Sequence, residues 1–318
     1  MKLNIKKIDK KNIYKYFFII LLVIILLFFI SKTVKSVLFM KKEFFMSEDK
    51  IYILGDQSIY MYFEDYINSF IDKLPNSQLI LYYKGQNEQI PENNVNSKFV
   101  FLQTIPDGIL ERFNNSPTNL YLINTEQLSN PKDINRFNTY PKFIKLIDYS
   151  RGNIKYYKDF IYPTKFIEYQ INMKEIYNLP KTNNICIMYG LTPYRKHIID
   201  VIRSKGYNVD EISGWGKERD QKLFTYKIII NISQSEQHTL MEPLRCHRCI
   251  FNKMIVISNR KEDEDLYSLK DYMIFEDYDK LADKVIEVFN NYDKYYNQLG
   301  FNTFDLNKLP IDKNINLE

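Results

Sequence analysis

The amino-acid sequence predicts an α/β protein with two doubly wound parallel-sheet lobes behind a single N-terminal transmembrane helix. Three observations lead to this prediction. Tyr16–Ile30 is an unbroken apolar run, short apolar runs alternate with helical patterns after residue 49, and the alternation begins again after residue 182. Such alternation is typical of parallel strands joined by helices, and a chain of 318 residues is long enough for two such domains.

The apolar run predicts a membrane anchor. It spans 15 residues, whereas a spanning helix needs about 17–25, but Lys15 and Lys32 can snorkel and so extend it for a thin bilayer. Six Lys precede the run and four follow it, so the positive-inside rule favours a cytosolic N-terminus and a type II single-pass topology. A cleaved signal peptide is the alternative, although residues 31–35 offer no clear pair of small residues for cleavage.

Charge separates the N-terminal segment from the rest of the chain. Residues 1–42 contain ten Lys and one Asp, a net charge of +9; since the whole chain carries +5, residues 43–318 carry −4. We therefore expect no binding to nucleic acid, whose backbone needs a positive surface. Cys186, Cys246 and Cys249 are too few for a disulfide framework.

The N-terminal lobe is predicted from alternating short apolar runs and helical patterns. Its predicted strands are Ile51–Leu54, Leu79–Tyr82, Phe99–Leu102, Leu120–Ile123 and Phe143–Ile147. Its predicted helices are Ser58–Lys73, Pro106–Arg112 and one near Lys132–Phe137, with a further helix capped by Ser150.

The C-terminal lobe shows the same alternation more clearly. Its predicted strands are Ile185–Tyr189, Asn208–Ile212, Ile228–Ile232, Met254–Ile257 and Tyr272–Phe275. Its predicted helices are Pro193–Ser204, Lys217–Phe224, Met241–Phe251, Asp263–Leu269 and Tyr278–Asn291. The predicted segments are a basic N-terminus (1–15), the anchor (16–31), a juxtamembrane linker (32–48), the N-terminal lobe (49–165), a linker (166–182), the C-terminal lobe (183–298) and a tail (299–318).

Two such lobes in series predict a cleft, because ligands of open α/β sheets bind beyond the carboxyl ends of the strands. Small and polar residues follow the predicted strands at 55–57, 103–104, 124–127 and 148–150 in the first lobe. They recur at 190–192, 213–216, 231–233 and 258–259 in the second lobe. These residues favour a polar ligand. No Gly-x-Gly-x-x-Gly or phosphate-loop motif is present, which argues against a dinucleotide oxidoreductase and a phosphate-loop NTPase.

A series of short motifs in the second lobe resembles a known enzyme family. In order, these are Gly190 and Arg195, the run Gly-Trp-Gly-Lys-Glu-Arg-Asp at 214–220, the strand Lys-Ile-Ile-Ile-Asn at 227–231, and Glu-Pro-Leu-Arg at 242–245 ahead of Met-Ile-Val-Ile-Ser at 254–258. Residues 183–291 thereby resemble the C-terminal, Rossmann-like lobe of GT-B glycosyltransferases, nearest the CgeB/YkvP-like branch.

The resemblance implies that this lobe binds a nucleotide-sugar donor without a metal. Arg219 and Lys227 then become the candidates for the diphosphate and Glu242 the candidate for the ribose, with Arg245 one helical turn further on the same face. The other implied donor-site residues are Gly190, Arg195, Trp215 and Asn231. A positioned Arg or Lys can stabilise the negative charge of a leaving diphosphate.

Two candidate catalytic carboxylates lie in the first lobe. If the transferase inverts, it needs a base for the acceptor hydroxyl, and we nominate Glu126 first and Asp148 second, with a turn or cap role as the alternative for both. Many relatives carry two glutamates eight positions apart in the donor lobe, but residue 250 is Ile and residue 234 is Gln here. A catalytically inactive GT-B-like sugar-binding or scaffolding module therefore remains the second hypothesis.

The segment Cys246-His247-Arg248-Cys249 offers a possible zinc site, with His238 upstream. The segment lies on a predicted buried helix and no second Cys pair exists, so we favour two small core residues. No metal or cofactor is expected, and the acceptor cannot be specified.

Overall fold

The computed structural model describes Val23 and residues 26–32, 50–92, 96–113, 119–130, 134–135, 137, 140–157, 164–188, 190–313, 315 and 317. The chain divides into two units, Met1–Asp49 and Lys50–Glu318. In the first unit residues 26–32 are helical. No helix in the described part of the chain is long and apolar enough to cross a membrane. Most of the predicted anchor, Tyr16–Ile30, lies outside the described residues, and the anchor stays a prediction.

The N-terminal lobe of the second unit is built on a six-stranded sheet, with every adjacent pair parallel and the order β2-β1-β3-β4-β5-β6. The strands are β1 Ile51–Asp56, β2 Ser77–Tyr82, β3 Lys98–Leu102, β4 Leu120–Ile123, β5 Lys145–Asp148 and β6 Thr164–Phe166. Among the described residues, the α-helices whose bounds are defined are α1 Gln57–Phe70 and α2 Ile154–Tyr157; residues 134 and 135, within the helix predicted near Lys132–Phe137, are also helical.

Helix α1 follows β1 directly because Asp56 caps it. The Asp56 carboxylate accepts a hydrogen bond from Ser58 N at 2.8 Å, and Tyr66 and Phe70 are buried against the sheet. The predicted helix at 106–112 is instead a short 3-10 turn, Leu110–Phe113, preceded by Gly108 at φ +74°. Strand β6 was not predicted, because its three residues at the end of the predicted N-terminal lobe are too few to give a periodic pattern.

The C-terminal lobe is built on a five-stranded parallel sheet of order β11-β10-β9-β7-β8. The strands are β7 Asn183–Met188, β8 Asp210–Ile212, β9 Tyr226–Asn231, β10 Ile255–Asn259 and β11 Met273–Glu276. The α-helices are α3 Pro193–Ser204, α4 Gly216–Leu223, α5 Pro243–Phe251, α6 Leu281–Asn290 and α7 Tyr292–Gln298. The predicted helix at 263–269 is reduced to a 3-10 turn, Glu264–Leu266.

The two parallel sheets confirm the prediction of two doubly wound lobes. In each sheet the strand order reverses direction beside the first strand of the lobe, between β1 and β3 and between β7 and β9. Such reversals leave a crevice at the carboxyl ends of the strands. The arrangement fits a GT-B fold.

The lobes pack directly against each other. A Cβ atom added to Gly152 in the N-terminal lobe would lie 1.9 Å from Asp263 Oδ2 in the C-terminal lobe, so the Asp263 side chain lies directly against the Gly152 backbone. The chain after α7 returns to the N-terminal lobe, where Asp312 N donates to Glu168 Oε2 at 2.8 Å. Tyr121 OH also donates to the carbonyl oxygen of Leu317.

Candidate active site

A cleft of about 670 Å³ lies between the lobes. Residues that follow β4, β5, β7 and β9 line it, together with the middle of α1, the residue before α4 and the starts of α3 and α5. They are Tyr62, Phe63, Thr125, Glu126, Gln127, Tyr149, Gly190, Leu191, Thr192, Arg195, Trp215, Gln234, His238, Glu242, Leu244 and Arg245. The cleft is therefore where the strand-end residues were expected to meet, and it is large enough for a small organic ligand.

The start of α3 places a buried arginine at the cleft wall. Thr192 caps the helix by accepting from Arg195 N at 3.3 Å, and Pro193 occupies the first helical position. The Arg195 guanidinium donates from Nε to Ile232 O at 3.0 Å and from Nη1 to Gly190 O at 3.2 Å. The backbone thus holds this cation in place beyond the carboxyl end of β7.

The start of α5 contributes an ion pair to the same wall. Arg245 Nη1 lies 2.6 Å from Glu242 Oε2 and donates to Asn231 Oδ1 at 2.9 Å. Gln127, from the opposite lobe, donates from Nε2 to Glu242 Oε1 at 3.1 Å. Glu242 is consequently held by groups from both lobes.

Positive charge exceeds negative charge behind this wall. Arg195, Arg245 and Lys261 are each at most 9% exposed. Burial alone would raise the pKa of Glu242, but Arg245, Lys261 and Arg195 outweigh burial and hold it below its ordinary value. Burial lowers the pKa of Lys261 to about 8, against the opposing effect of Glu242. Buried cations that outnumber their carboxylates favour an anionic ligand.

The opposite wall presents the carboxylate of Glu126. Asn124 Oδ1 accepts from Glu126 N at 3.1 Å, and Asn124 Nδ2 donates to Glu126 O at 2.9 Å. Asn153 Nδ2 donates to the same carbonyl at 3.1 Å. Gln103 Nε2 donates to Glu126 Oε1 at 2.6 Å. Both the backbone and the side chain of Glu126 are therefore fixed.

Asp148 lies behind Glu126 and is fully buried. Its carboxylate accepts hydrogen bonds from Ser150 N at 2.7 Å, from Asn124 Nδ2 at 2.8 Å, and from Asn153 and the Tyr157 hydroxyl. Burial raises the pKa of Asp148 to about 6, although these hydrogen bonds act in the opposite direction. Asp148 is not among the residues that line the cleft, so its position does not support the role of base.

An aromatic pair joins the lobes at the side of the cleft. The rings of Tyr62 from α1 and Trp215 before α4 lie 4.7 Å apart, edge to face. Gly214 and Gly216 flank Trp215 at φ +91° and +67°, so the loop depends on conformations that favour glycine.

The structure brings together six of the ten predicted site residues along the cleft: Glu126, Gly190, Arg195, Trp215, Glu242 and Arg245. Asn231 lies directly behind them, fully buried between Arg245 and Ser258. Lys227 lies near the start of β9, at the end away from the cleft, with its Nζ 5.4 Å from the ring centre of Tyr292. The position of Lys227 does not support a diphosphate role.

Arg219 does not face the cleft either. Its side chain is 1% exposed, and it donates to Asp65 Oδ2 at 2.8 Å and to Asp220 Oδ1 at 2.7 Å. Arg248 binds the same two carboxylates. We refer to Asp65, Arg219, Asp220 and Arg248 as the interlobe ion cluster, since Asp65 belongs to the N-terminal lobe. Spacing on a helix could not reveal this partner, which is 154 residues away in sequence.

Sequence reasoning missed Lys261 and Tyr62, and it noted Gln127 only as one of the strand-end residues 124–127. Gln127 and Lys261 follow strands β4 and β10 closely, so their positions beyond strand ends were the available signal. Cys246 and Cys249 are buried thiols whose pKa values burial raises. No group of three or more His, Cys, Asp or Glu among the described residues could hold a metal ion.

The comparisons with known proteins give relatives of one viral source. "Uncharacterized protein L140" of Acanthamoeba polyphaga mimivirus is 32% identical over 256 residues, which cover 77% of this chain and 81% of the relative. "Uncharacterized protein R358" of the same virus is 30% identical, with 70% and 81% covered. In a third, "Uncharacterized protein L138", which is 31% identical, the match spans only 30% of the relative's length.

Comparisons with solved structures and with family models were also made. Two crystal structures of α1,3-fucosyltransferase align with TM-scores of 0.43 and 0.42 at 10% and 12% identity; the second contains GDP-fucose. The alignments cover 81% and 83% of this chain and 84% and 86% of the two structures. No family model matches the chain. At the identity and coverage seen for L140 and R358, the chain belongs to the same family as these two mimivirus proteins.

Proposed function

We propose that the protein is a GT-B glycosyltransferase that binds a nucleotide-sugar in the interlobe cleft and transfers the sugar to an acceptor hydroxyl. The observation that carries the proposal is the opposition of two walls across one cleft. Arg195, Glu242 and Arg245 line one wall and Glu126 lines the other. The resemblance of residues 183–291 to CgeB/YkvP-like glycosyltransferase domains supports the same assignment.

The basic wall suits the diphosphate of the donor. Arg195 and Arg245 are buried at strand and helix ends beside the cleft, and Lys261 adds a third positive charge behind them. Desolvated guanidinium groups form strong, directional hydrogen bonds to phosphate oxygens. In the proposal Arg195 and Arg245 take the role that the sequence had assigned to Arg219 and Lys227.

Glu242 suits a hydroxyl of the donor. Its carboxylate is kept ionised by neighbouring cations, and a carboxylate accepts hydrogen bonds but donates none. In the proposal it accepts from the ribose, as the resemblance implies.

Glu126 suits the role of general base. The acceptor oxygen forms a bond to the anomeric carbon of the sugar, while the bond from that carbon to the diphosphate oxygen breaks. The hydroxyl proton passes to Glu126, and the nucleoside diphosphate leaves with the electron pair. Arg195 and Arg245 stabilise the charge that develops on the leaving group.

Calorimetric titration of the full-length protein with a panel of nucleotide-sugars tests the proposal. We expect Arg195→Ala to weaken binding of the donor roughly 10- to 150-fold, since a hydrogen bond to a charged group contributes about 1.5–3 kcal/mol. Glu242→Gln should weaken it less, because the amide oxygen still accepts from one hydroxyl.

The matched control is Arg203→Ala, which removes a cation from the same helix at a site paired with Glu211 and outside the cleft. It should leave affinity within about twofold. Arg195→Lys keeps the positive charge but removes the planar guanidinium group. It also tests the site if the alanine variant does not fold. If the parent protein binds no nucleotide-sugar, the proposal fails and a module without this activity is favoured.

A further inference from the structure

A strained backbone position lies next to Glu126. Gln103 directly follows β3 and adopts φ +63°, a left-handed conformation that is uncommon for residues other than glycine. Its amide nitrogen remains bonded to the neighbouring strand end, with Gln103 N donating to Ile123 O at 2.9 Å. Such strain persists where the surrounding structure imposes it, and it is often found at functional sites.

The other described non-glycine residues with positive φ have local explanations. Asn76 and Asn178 are asparagines, which tolerate this conformation better than other side chains. Lys253 follows the end of α5, where Lys253 N donates to Ile250 O at 2.8 Å and closes the helix. Gln103 is neither an asparagine nor at a helix end, so its conformation calls for a different explanation.

The left-handed turn directs the Gln103 amide at Glu126. Gln103 Nε2 donates to Glu126 Oε1 at 2.6 Å, a short distance typical of a hydrogen bond to an ionised acceptor. The partner Glu126 lies at the cleft. Its backbone is already held by Asn124 and Asn153, which in turn bind the buried Asp148 carboxylate.

We propose that Gln103 is a positioning residue for Glu126, with the Asn124–Asp148–Asn153 network fixing the backbone on the other side. This inference rests on the proposed function. The amide bond to one carboxylate oxygen limits rotation of the Glu126 side chain, and it stabilises the ionised form that accepts the proton from the attacking hydroxyl. Because a glutamine amide does not itself take up that proton, its effect is exerted through Glu126.

Hydrolysis of the tightest-binding nucleotide-sugar from the panel provides an assay without a known acceptor. Water adds to the anomeric carbon, the carbon–oxygen bond to the diphosphate breaks, the proton of water passes to Glu126 and the nucleoside diphosphate is released. Gln103→Asn keeps a side chain that tolerates the left-handed conformation but shortens it by one methylene. Gln103→Gly relieves the backbone strain and removes the amide.

We expect both variants to lower kcat about 10-fold with KM within about twofold of the parent, since one hydrogen bond to a charged group is lost. The acid limb of the pH profile of kcat/KM should move to higher pH, because the carboxylate loses a donor that favours its charged form. The thermal midpoint of Gln103→Gly should not fall by more than about 3 °C. Gln86→Asn, at an exposed glutamine of the same lobe, should match the parent in every measurement.

Parent-like turnover and pH profile in Gln103→Asn and Gln103→Gly would overturn the positioning role while leaving the proposed function intact. A fall in kcat that is accompanied by a matching fall in thermal stability, with no movement of the acid limb, would also overturn it. A parent protein that neither binds nor hydrolyses any nucleotide-sugar would reject the proposed function itself, and the positioning role with it.

Discussion

The two lobes present opposite chemistry to the same cleft. On the C-terminal side, the cations of Arg195, Arg245 and Lys261 outnumber the carboxylates of Glu242 and Asp263. On the N-terminal side, Glu126 and the buried Asp148 are held by neutral groups, chiefly amides of Asn124, Asn153 and Gln103. One lobe therefore suits an anion, and the other suits a group that gives up a proton.

The two lobes also stabilise their buried ionisable groups in different ways. The C-terminal lobe places charges beside opposite charges, whereas the N-terminal lobe satisfies Asp148 with hydrogen-bond donors and a raised pKa. Both solutions avoid an unpaired buried charge, which costs several kcal/mol. Only the first leaves an excess of positive charge, and the proposed function therefore assigns donor binding to the C-terminal lobe and proton transfer to the N-terminal lobe.

The largest expected effect comes from removing the carboxylate of the N-terminal wall. Glu126→Gln should lower kcat about 10²- to 10⁴-fold, because a positioned general base contributes a factor of that size. Donor affinity should change less than about threefold, since the proposed function places the donor phosphates on the other wall. Turnover and calorimetric titration of one preparation check both numbers.

Glu111→Gln is the matched control, because Glu111 is an exposed glutamate of the same lobe. It should behave as the parent does. A Glu126→Gln variant that keeps more than half of the parent's turnover would contradict the assignment of the base to the N-terminal wall.

The next largest effect is expected at the interlobe ion cluster. Arg248→Ala leaves the Asp65 and Asp220 carboxylates with Arg219 alone, and Glu175 loses the partner that lies 3.3 Å away. Removing one partner of a buried ion pair typically costs about 3–5 kcal/mol in the free energy of unfolding. Urea denaturation of the two proteins measures this difference.

Arg260→Ala provides the comparison for a surface pair, since Arg260 is 56% exposed beside Glu264. Its loss should cost at most about 1 kcal/mol. Equal costs for the two substitutions would mean that the ion cluster does not fasten the lobes together.

A smaller effect is expected on the pH dependence of the free energy of unfolding, to which one buried group in each lobe contributes with opposite sign. Burial raises the pKa of Asp148 to about 6 from 3.8, so its stabilisation is present at low pH and is lost as pH rises from about 4 to 6. Burial lowers the pKa of His247 to about 4 from 6.5, so its contribution is lost as pH falls from about 6.5 to 4. The shift corresponds to at most about 3 kcal/mol for Asp148 and about 3–4 kcal/mol for His247.

The free energy of unfolding at pH 4.5 and 6.5 should therefore change differently in two variants. We define the slope as the free energy of unfolding at pH 6.5 minus that at pH 4.5. Asp148→Asn should make this slope more positive than in the parent, and His247→Gln should make it less positive. The comparison uses the slope within each variant, so any uniform loss of stability cancels. Slopes equal to that of the parent would contradict the assignment of these two buried groups.

The strands were largely predictable from sequence, because buried parallel strands are short apolar runs with clear ends. The β9 prediction at 228–232 differs from the observed Tyr226–Asn231 by only one or two residues at its ends. The helix predicted at 106–112 failed because Gly108 adopts a positive φ that interrupts it. The glycine itself was the available signal, since it has a low helix propensity and often marks a break.

Candidate site residues could be predicted from sequence only where they follow a strand or open the next helix. Glu126, Gly190 and Arg195 follow strands or open the next helix, and all three line the cleft. Arg219 was expected at the cleft but pairs with Asp65 of the other lobe, and no local pattern encodes a contact between lobes. Gln103 was noted as a strand-end residue, but its left-handed backbone is not visible in sequence.

The edge-to-face contact between Trp215 and Tyr62 gives the protein an internal optical reporter. Trp215 is the single tryptophan in the chain, and its partner ring belongs to the other lobe, 4.7 Å away. Any movement that separates the walls changes the polarity and quenching around this indole. Intrinsic fluorescence excited at the indole band would therefore follow opening and closing of the cleft in the unlabelled native chain, in real time and without an acceptor or an enzymatic assay.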